Sequence, residues 1–246
     1  MTFTVHIDGF GKGIWMGHLL SEPGCIWLAA NPSAVTATAT AAIARHFDWL
    51  RANGEPGVPL LSPDQIEIYV SEIQEVPNFG QSGAAVGLFE PDLLPVTDND
   101  IATVVRRLGY ARRNLLETIA EVPAEALDWQ PPSGKRTLRQ NLQHIQNCQG
   151  WYLTRVLGWE TVEQILPDPW PADTLVSLNW VMSRTVGTLL NLPEQFRSGI
   201  YEAEEPAEQW TARKMLRRCV EHELEHLGVI RATIALWSRA EQSTRP

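Results

Sequence analysis

Residues 3–7, Phe3-Thr4-Val5-His6-Ile7, alternate apolar and polar, the period of a half-buried strand. Gly9, Gly11 and Gly13 then mark a turn. Two more short strands are expected at 14–19 and 26–29, divided by the turn Glu22-Pro23-Gly24. Asn31-Pro32-Ser33 supplies a helix start, with Asn or Ser as the cap, and the Ala-rich stretch 34–51 follows as a helix. Asn53-Gly54 stops it, and alternation returns over 66–73 as a further strand.

The period changes in the second half. Residues 98–122, 137–157, 173–192 and 211–240 all carry the 3.6-residue spacing of helices. Proline-rich segments divide them, at Pro131-Pro132-Ser133-Gly134 and at Pro167, Pro169 and Pro171. The longer stretch 193–206 reads as a crossover. Between the halves, 77–97 holds Pro77, Gly80, Gly83, Gly87, Pro91 and Pro95, a density of breakers that marks a linker. The expected plan is an α+β chain of two domains: a small β-β-β-α-β domain over 1–76, then an up-down four-helix bundle over 98–240.

Composition narrows the classes. The 246 residues are 44% apolar and 20% charged, ordinary globular usage. A net charge of −9 excludes an overall basic nucleic-acid footprint. The charge is uneven: residues 1–97 hold 3 Lys/Arg against 10 Asp/Glu, and residues 98–246 hold 17 against 19. The acidic first part suits a basic protein partner. Three widely spaced cysteines, Cys25, Cys148 and Cys219, argue against a disulfide framework and for a reducing compartment. The start lacks the basic-then-apolar plan of a signal peptide, and no stretch of about 18 apolar residues exists. A cytoplasmic protein with no membrane partner is expected.

The last helix contains His222-Glu223-Leu224-Glu225-His226. Two histidines four residues apart share a helical face, so both imidazoles can reach one ion. A catalytic metal commonly takes three protein ligands and keeps a position open. The third candidate is His144, the only other histidine after residue 97. Such a pair also arises by chance on solvated helices. Here the shared face carries Cys219, Val229 and Thr233, and that of His144 carries Asn141, Cys148 and Trp151, so neither is fully polar. Buried imidazoles without partners are unfavourable, and a shared metal would satisfy them.

The stretches RTLRQNLQHIQNCQGWYL at 136–153 and VEHELEHLGVI at 220–230 together resemble the DinB-like superfamily of metal-binding bundles, which is distinct from the DNA polymerase of that name. The resemblance spans roughly 98–240. It implies one divalent ion on His144, His222 and His226, most often nickel or zinc, with manganese or iron as alternatives and water in the remaining positions. It also implies metal-dependent chemistry on low-molecular-weight thiols.

The same five residues satisfy H-E-x-x-H, the zinc protease signature, in which Glu223 would be the general base. A third ligand after that helix is missing, since only Glu241 is acidic in the 20 residues that follow. Glu223 is then expected to face solvent or to stand behind the ligands, and Glu221 and Glu225 to be surface charges. Glu223 and Tyr152 remain the candidate acid–base groups. Cys148 and Cys219 lie one turn from His144 and His222, where a thiolate ligand is conceivable; a buried cysteine is more often a small apolar filler.

In the first half, EPGCIWLAANPSAVTATATAAIARHFDWLRANGEPG at 22–57 resembles the N-terminal domain of HicB-like antitoxins, through Pro23-Gly24-Cys25 and the closing His46-Phe47-Asp48-Trp49-Leu50. That resemblance implies a small β-β-β-α-β domain able to bind a basic protein partner. No DNA-binding segment is evident beside it. His18 and His46 have no spacing partner and are expected to be core or surface histidines. The functional expectation is a metal-dependent thiol transferase or hydrolase with a small-molecule substrate, with a homodimer as the candidate assembly. The alternative is a non-enzymatic regulatory protein with a structural metal.

Overall fold

The computed structural model describes residues 1–11, 13–76, 86–202 and 208–244, with side chains through 242. Of the expected linker, 77–85 lies outside the described residues, as does 203–207 at the end of the expected crossover. The chain divides into two compact units: Met1–Pro95 with Gly199–Arg217, and Val96–Ser198 with Arg218–Pro246.

The first unit is built on a four-stranded sheet in the order β3-β2-β1-β4. Strand β1 (Thr2–Gly9) pairs antiparallel with β2 (Trp15–His18), which pairs antiparallel with β3 (Ile26–Ala29). Helix α1 (Pro32–Ala52) then returns the chain to β4 (Glu67–Glu75), parallel to β1 on its far side. Asn31 caps α1 by accepting from the Ala34 amide, and Pro32 opens it. Val35, Ala39, Ala42, Ile43, Phe47 and Leu50 repeat at three and four residues and are all buried. That face closes a core with Val5, Ile7, Trp15, Leu19 and Trp27. The small residues of α1 let it approach the sheet closely. Gly17 marks the tightest point: a Cβ there would stand 2.4 Å from the Trp27 ring and 2.7 Å from Val35.

Polar groups also fill this interior. His18 Nε2 lies 3.0 Å from Asp8 Oδ1, and both residues are fully buried. Asp8 Oδ2 accepts from the Gly87 amide at 2.5 Å. Arg217 forms a two-pronged pair with Asp92 at 2.9 Å and donates to the Gly87 carbonyl. Lys214 donates to the carbonyls of Val86 and Gln209, and Thr211 to that of Asp92. These bonds clamp 86–95 against 209–217. His18 is thus a core histidine within a charged network, and His46 is likewise buried, 5.3 Å from the Trp49 ring.

The second unit is helical. Four long helices carry it: α2 (Asp98–Ala120), α4 (Leu138–Leu157), α6 (Thr174–Leu190) and the part of α7 (Ala212–Thr244) from Arg218 onward. Three of these helices have capped starts: Thr97 by exchange with Asp100, Thr137 by exchange with Gln140, and Asp173 by accepting from Leu175 and Val176. Leu115 and Ile119 of α2, Leu138, Leu142 and Ile145 of α4, Leu178 of α6, and Leu227 and Ile230 of α7 form one buried core. Burial of each such side chain contributes about 1.5–3 kcal/mol relative to exposure. Two short helices, α3 (Ala124–Leu127) and α5 (Trp159–Ile165), fall between the expected long ones. The stretch expected as a bare crossover contains a 3-10 turn, Glu194–Phe196, and the strand β5 (Tyr201–Glu202), which pairs with β6 (Gln209–Trp210) in the first unit. Helix α7 runs to Thr244, four residues beyond expectation, so Glu241 is helical. No described helix is long and apolar enough to cross a membrane.

Candidate metal centre

Helices α4 and α7 bring His144, His222 and His226 together. One ring nitrogen from each lies within 4.8 Å of the others. His144 Nε2 and His222 Nε2 stand 3.2 Å apart. Two imidazole ligands at 2.0–2.1 Å from one tetrahedral ion would be separated by about 3.3–3.4 Å. His222 and His226 are buried and His144 half-buried.

Burial favours the uncharged ring, which is the ligating form. His144 is lowered to about 4, first by burial and then by the Arg136 guanidinium. His226 is lowered to about 3 by burial, with His144, Arg136 and Arg218 adding to it. His222 is pushed well below its ordinary value by burial and then by His226. All three rings therefore offer lone pairs at neutral pH. Asn141, one turn before His144, holds its Oδ1 3.3 Å from His226 Nδ1; an Nδ1–H donated to it leaves the ring's lone pair on Nε2. Three neutral imidazoles, mutually close and one of them oriented by an amide, fit a divalent ion.

The neighbouring candidates take other places. Glu223 is fully buried rather than solvent-facing, because the turn of α7 points it at α2 and α4 while His222 faces His144. Arg112 of α2 grips it with Nε at 2.5 Å and Nη2 at 3.0 Å, and Gln149 of α4 donates to it at 3.1 Å. The third guanidinium nitrogen donates to the Leu178 carbonyl on α6. One carboxylate thus ties the four long helices together. That engagement leaves it poorly placed to act as a protease base.

Glu221 is also buried, paired with Arg218 at 2.9 Å, and Glu225 is half-buried at 3.8 Å from the same arginine, so neither is a plain surface charge. Tyr152 is fully buried, edge-on to the His222 ring with centroids 5.6 Å apart. Its hydroxyl accepts from Arg218 at 3.5 Å, and burial pushes its ionisation far above the ordinary range. At neutral pH it is a neutral donor. Cys148 lies 3.6 Å from both ring nitrogens of His144, with burial pushing its thiol up to about 11. Cys219 is buried, and burial pushes it up to about 12.

Sequence reasoning places Asn141 on the face of His144 but misses its contact with His226, and it misses Arg112 and Gln149 altogether. Arg112 and Gln149 carry no local signal; a charged residue on an amphipathic helix is usually solvated.

A helical unit with three clustered histidines able to hold a metal ion is the class that this fold and cluster define. The sequence model described as the DinB superfamily matches residues 107–230, half of the chain and all three histidines. The chain belongs to that superfamily. No curated protein and no solved structure matches it.

Proposed function

We propose that the chain is a metal-dependent enzyme of the DinB type, in which His144, His222 and His226 hold one divalent ion, nickel or zinc, that activates a small thiol or water. The observation that carries this reading is the meeting of three neutral imidazoles within 4.8 Å on α4 and α7. An ion held by neutral ligands keeps its double positive charge and lowers the pKa of a bound thiol or water. Asn141 orients His226, and Tyr152 offers a neutral hydroxyl beside His222. Glu223 acts through position: gripped by Arg112 and Gln149, it fixes the rotation of α7 that presents His222 and His226. Three free cysteines suit a reducing compartment, and the cytoplasm is the proposed location.

Elemental analysis of the untagged protein tests the reading. About one nickel, zinc, manganese or iron per chain is expected, and loss of that metal from the His144→Ala, His222→Ala, His226→Ala variant. A wild type that holds no metal even after reconstitution overturns it. Turnover of a panel of thiols, electrophiles and esters by the loaded protein then separates transferase from hydrolase.

A second reading has its own support. The strand order β-β-β-α-β and the acid surplus of residues 1–97 favour a HicB-like domain that binds a basic protein, with the helical part as a metal-stabilised scaffold. Affinity capture that returns one basic protein in stoichiometric amount, from a chain inert toward small molecules, would favour it. In either reading the two parts are proposed as separate domains, and a homodimer as the assembly.

A further inference from the structure

Arg112, Arg217 and Arg218 are all buried. In the first two, the side-on fork formed by Nε and Nη2 is filled by a carboxylate. Arg112 holds Glu223 at 2.5 and 3.0 Å, and Arg217 holds Asp92 at 2.9 Å from both atoms. That planar fork matches the two oxygens of a carboxylate. In Arg218 it is not filled. Glu221 takes Nη1 from the end, at 2.9 Å. Nη2 has the Tyr152 hydroxyl at 3.5 Å and Glu225 at 3.8 Å, both longer than a charge-assisted hydrogen bond. Nε is buried and has no hydrogen-bond partner among the described residues. A buried donor left without a partner is unfavourable, and a planar anion would complete this one.

The fork stands beside the histidine cluster. Arg218 precedes His222 by four residues on α7, so the two share a face, with Cβ atoms about 5–6 Å apart. Tyr152 joins them. Its ring is edge-on to His222, with centroids 5.6 Å apart, and the Arg218 guanidinium lies 5.9 Å from its centre. Glu225 is the more open of the two carboxylates near Arg218, with 28% of its side chain exposed against 3% for Glu221. It marks the side from which a ligand approaches Nη2.

We propose that the Nε–Nη2 fork of Arg218, with the Tyr152 hydroxyl beside it, is a carboxylate subsite of the histidine cluster, and that the small molecule taken there carries a carboxylate a short carbon chain away from the group that meets the ion. The proposal rests on the metal reading above and deepens it by naming the substrate class. The ligand's carboxylate takes the place of Glu225 at Nη2 and reaches Nε as Glu225 turns to solvent. The number of carboxylates around the guanidinium therefore stays the same, and Glu221 keeps Nη1 throughout.

Ligand binding to the cobalt-loaded protein tests this without reference to activity. The whole chain is stripped of metal, kept anaerobic with a non-thiol reductant and loaded with cobalt(II). β-Mercaptopropionate and its uncharged amide are then titrated in, and the growth of the near-ultraviolet thiolate-to-cobalt charge-transfer band gives a Kd for each. The acid is expected to bind roughly 10–100-fold more tightly than the amide, the range of a hydrogen bond to a charged group. Arg218→Lys keeps the positive charge and loses the fork, so most of that preference should vanish while the amide binds as before. Glu225→Gln removes the resident competitor and should tighten the acid alone. Equal affinities in the wild type, a preference that Arg218→Lys leaves intact, or a loaded protein whose spectrum neither thiol changes overturns the subsite and leaves the three-histidine site standing. If Arg218→Lys does not fold, Glu225→Gln decides, and no gain for the acid overturns the subsite. Failure to take up cobalt at all overturns the metal reading, and this inference with it.

Discussion

Glu223 carries the most weight of any single residue outside the cluster. A carboxylate with no exposure is tolerable only because Arg112 and Gln149 complete it. Removing one partner of such a pair leaves an uncompensated buried charge. Arg112→Ala is therefore expected to lower stability by about 3–5 kcal/mol in urea unfolding. The double replacement Arg112→Met with Glu223→Leu removes both charges and should recover most of that loss. A single variant that unfolds within about 1 kcal/mol of wild type would show that the pair is solvated after all. None of this was legible in the sequence. His222 and His226 share a face by spacing alone, and His144 is the only other histidine after residue 97. Glu223 is one residue from His222, and nothing local says whether its face meets solvent or three other helices. The sequence left two positions open, at the surface, the usual fate of a charged helix residue, or behind the ligands. Arg112, 111 positions earlier, decides against the surface.

The elements were more legible than their surroundings. The four long helices start within two residues of expectation, because Thr97, Thr137, Asp173 and Thr211 accept from amides two or three residues on, bonds that are local. Strands β1 and β4 follow from period-two alternation in the sequence, and β2 and β3 from the turns that bound them. The short helices α3 and α5 and the two-residue strands β5 and β6 were not legible, since so few residues hold no period. At this scale Gly17 is the decisive position. It sits in β2 where α1 presses Trp27 and Val35 onto the strand, and a methyl group there would overlap both. Gly17→Ala is expected to cost about 1–3 kcal/mol through overpacking, with Trp27 fluorescence reporting the displacement. A variant with unchanged midpoint and emission would mean that α1 is free to shift outward.

For the whole molecule, the metal-free state should weaken in acid. A free imidazole titrates near 6.5. Burial holds His144 at about 4 and His226 at about 3. Below 6.5 the unfolded chain takes up protons that the folded chain refuses, so stability is fully present above 6.5 and falls as the pH drops toward 4. Each ring contributes at most about 1.4 kcal/mol per pH unit in that window, and half-exposed His144 less. Urea unfolding of the chelated protein at pH 7, 6 and 5 should show a steeper decline than the His144→Gln, His222→Gln, His226→Gln variant; parallel declines would contradict the burial of these rings. By itself the sequence determined the four long helices of the second half, α1 and the strands β1 to β4, the shared face of His222 and His226, and the candidacy of His144. Caps, periods and i, i+4 spacing act within about one turn, and a one-dimensional pattern contains them. Tertiary structure alone decided that Glu223 turns inward to Arg112 and that Asn141 orients His226. It alone decided that 86–95 is clamped by Thr211, Lys214 and Arg217. Those outcomes depend on which helix faces meet and on which charges lose their water when they do. Packing settles both over separations of 85 residues and more, which no local period encodes.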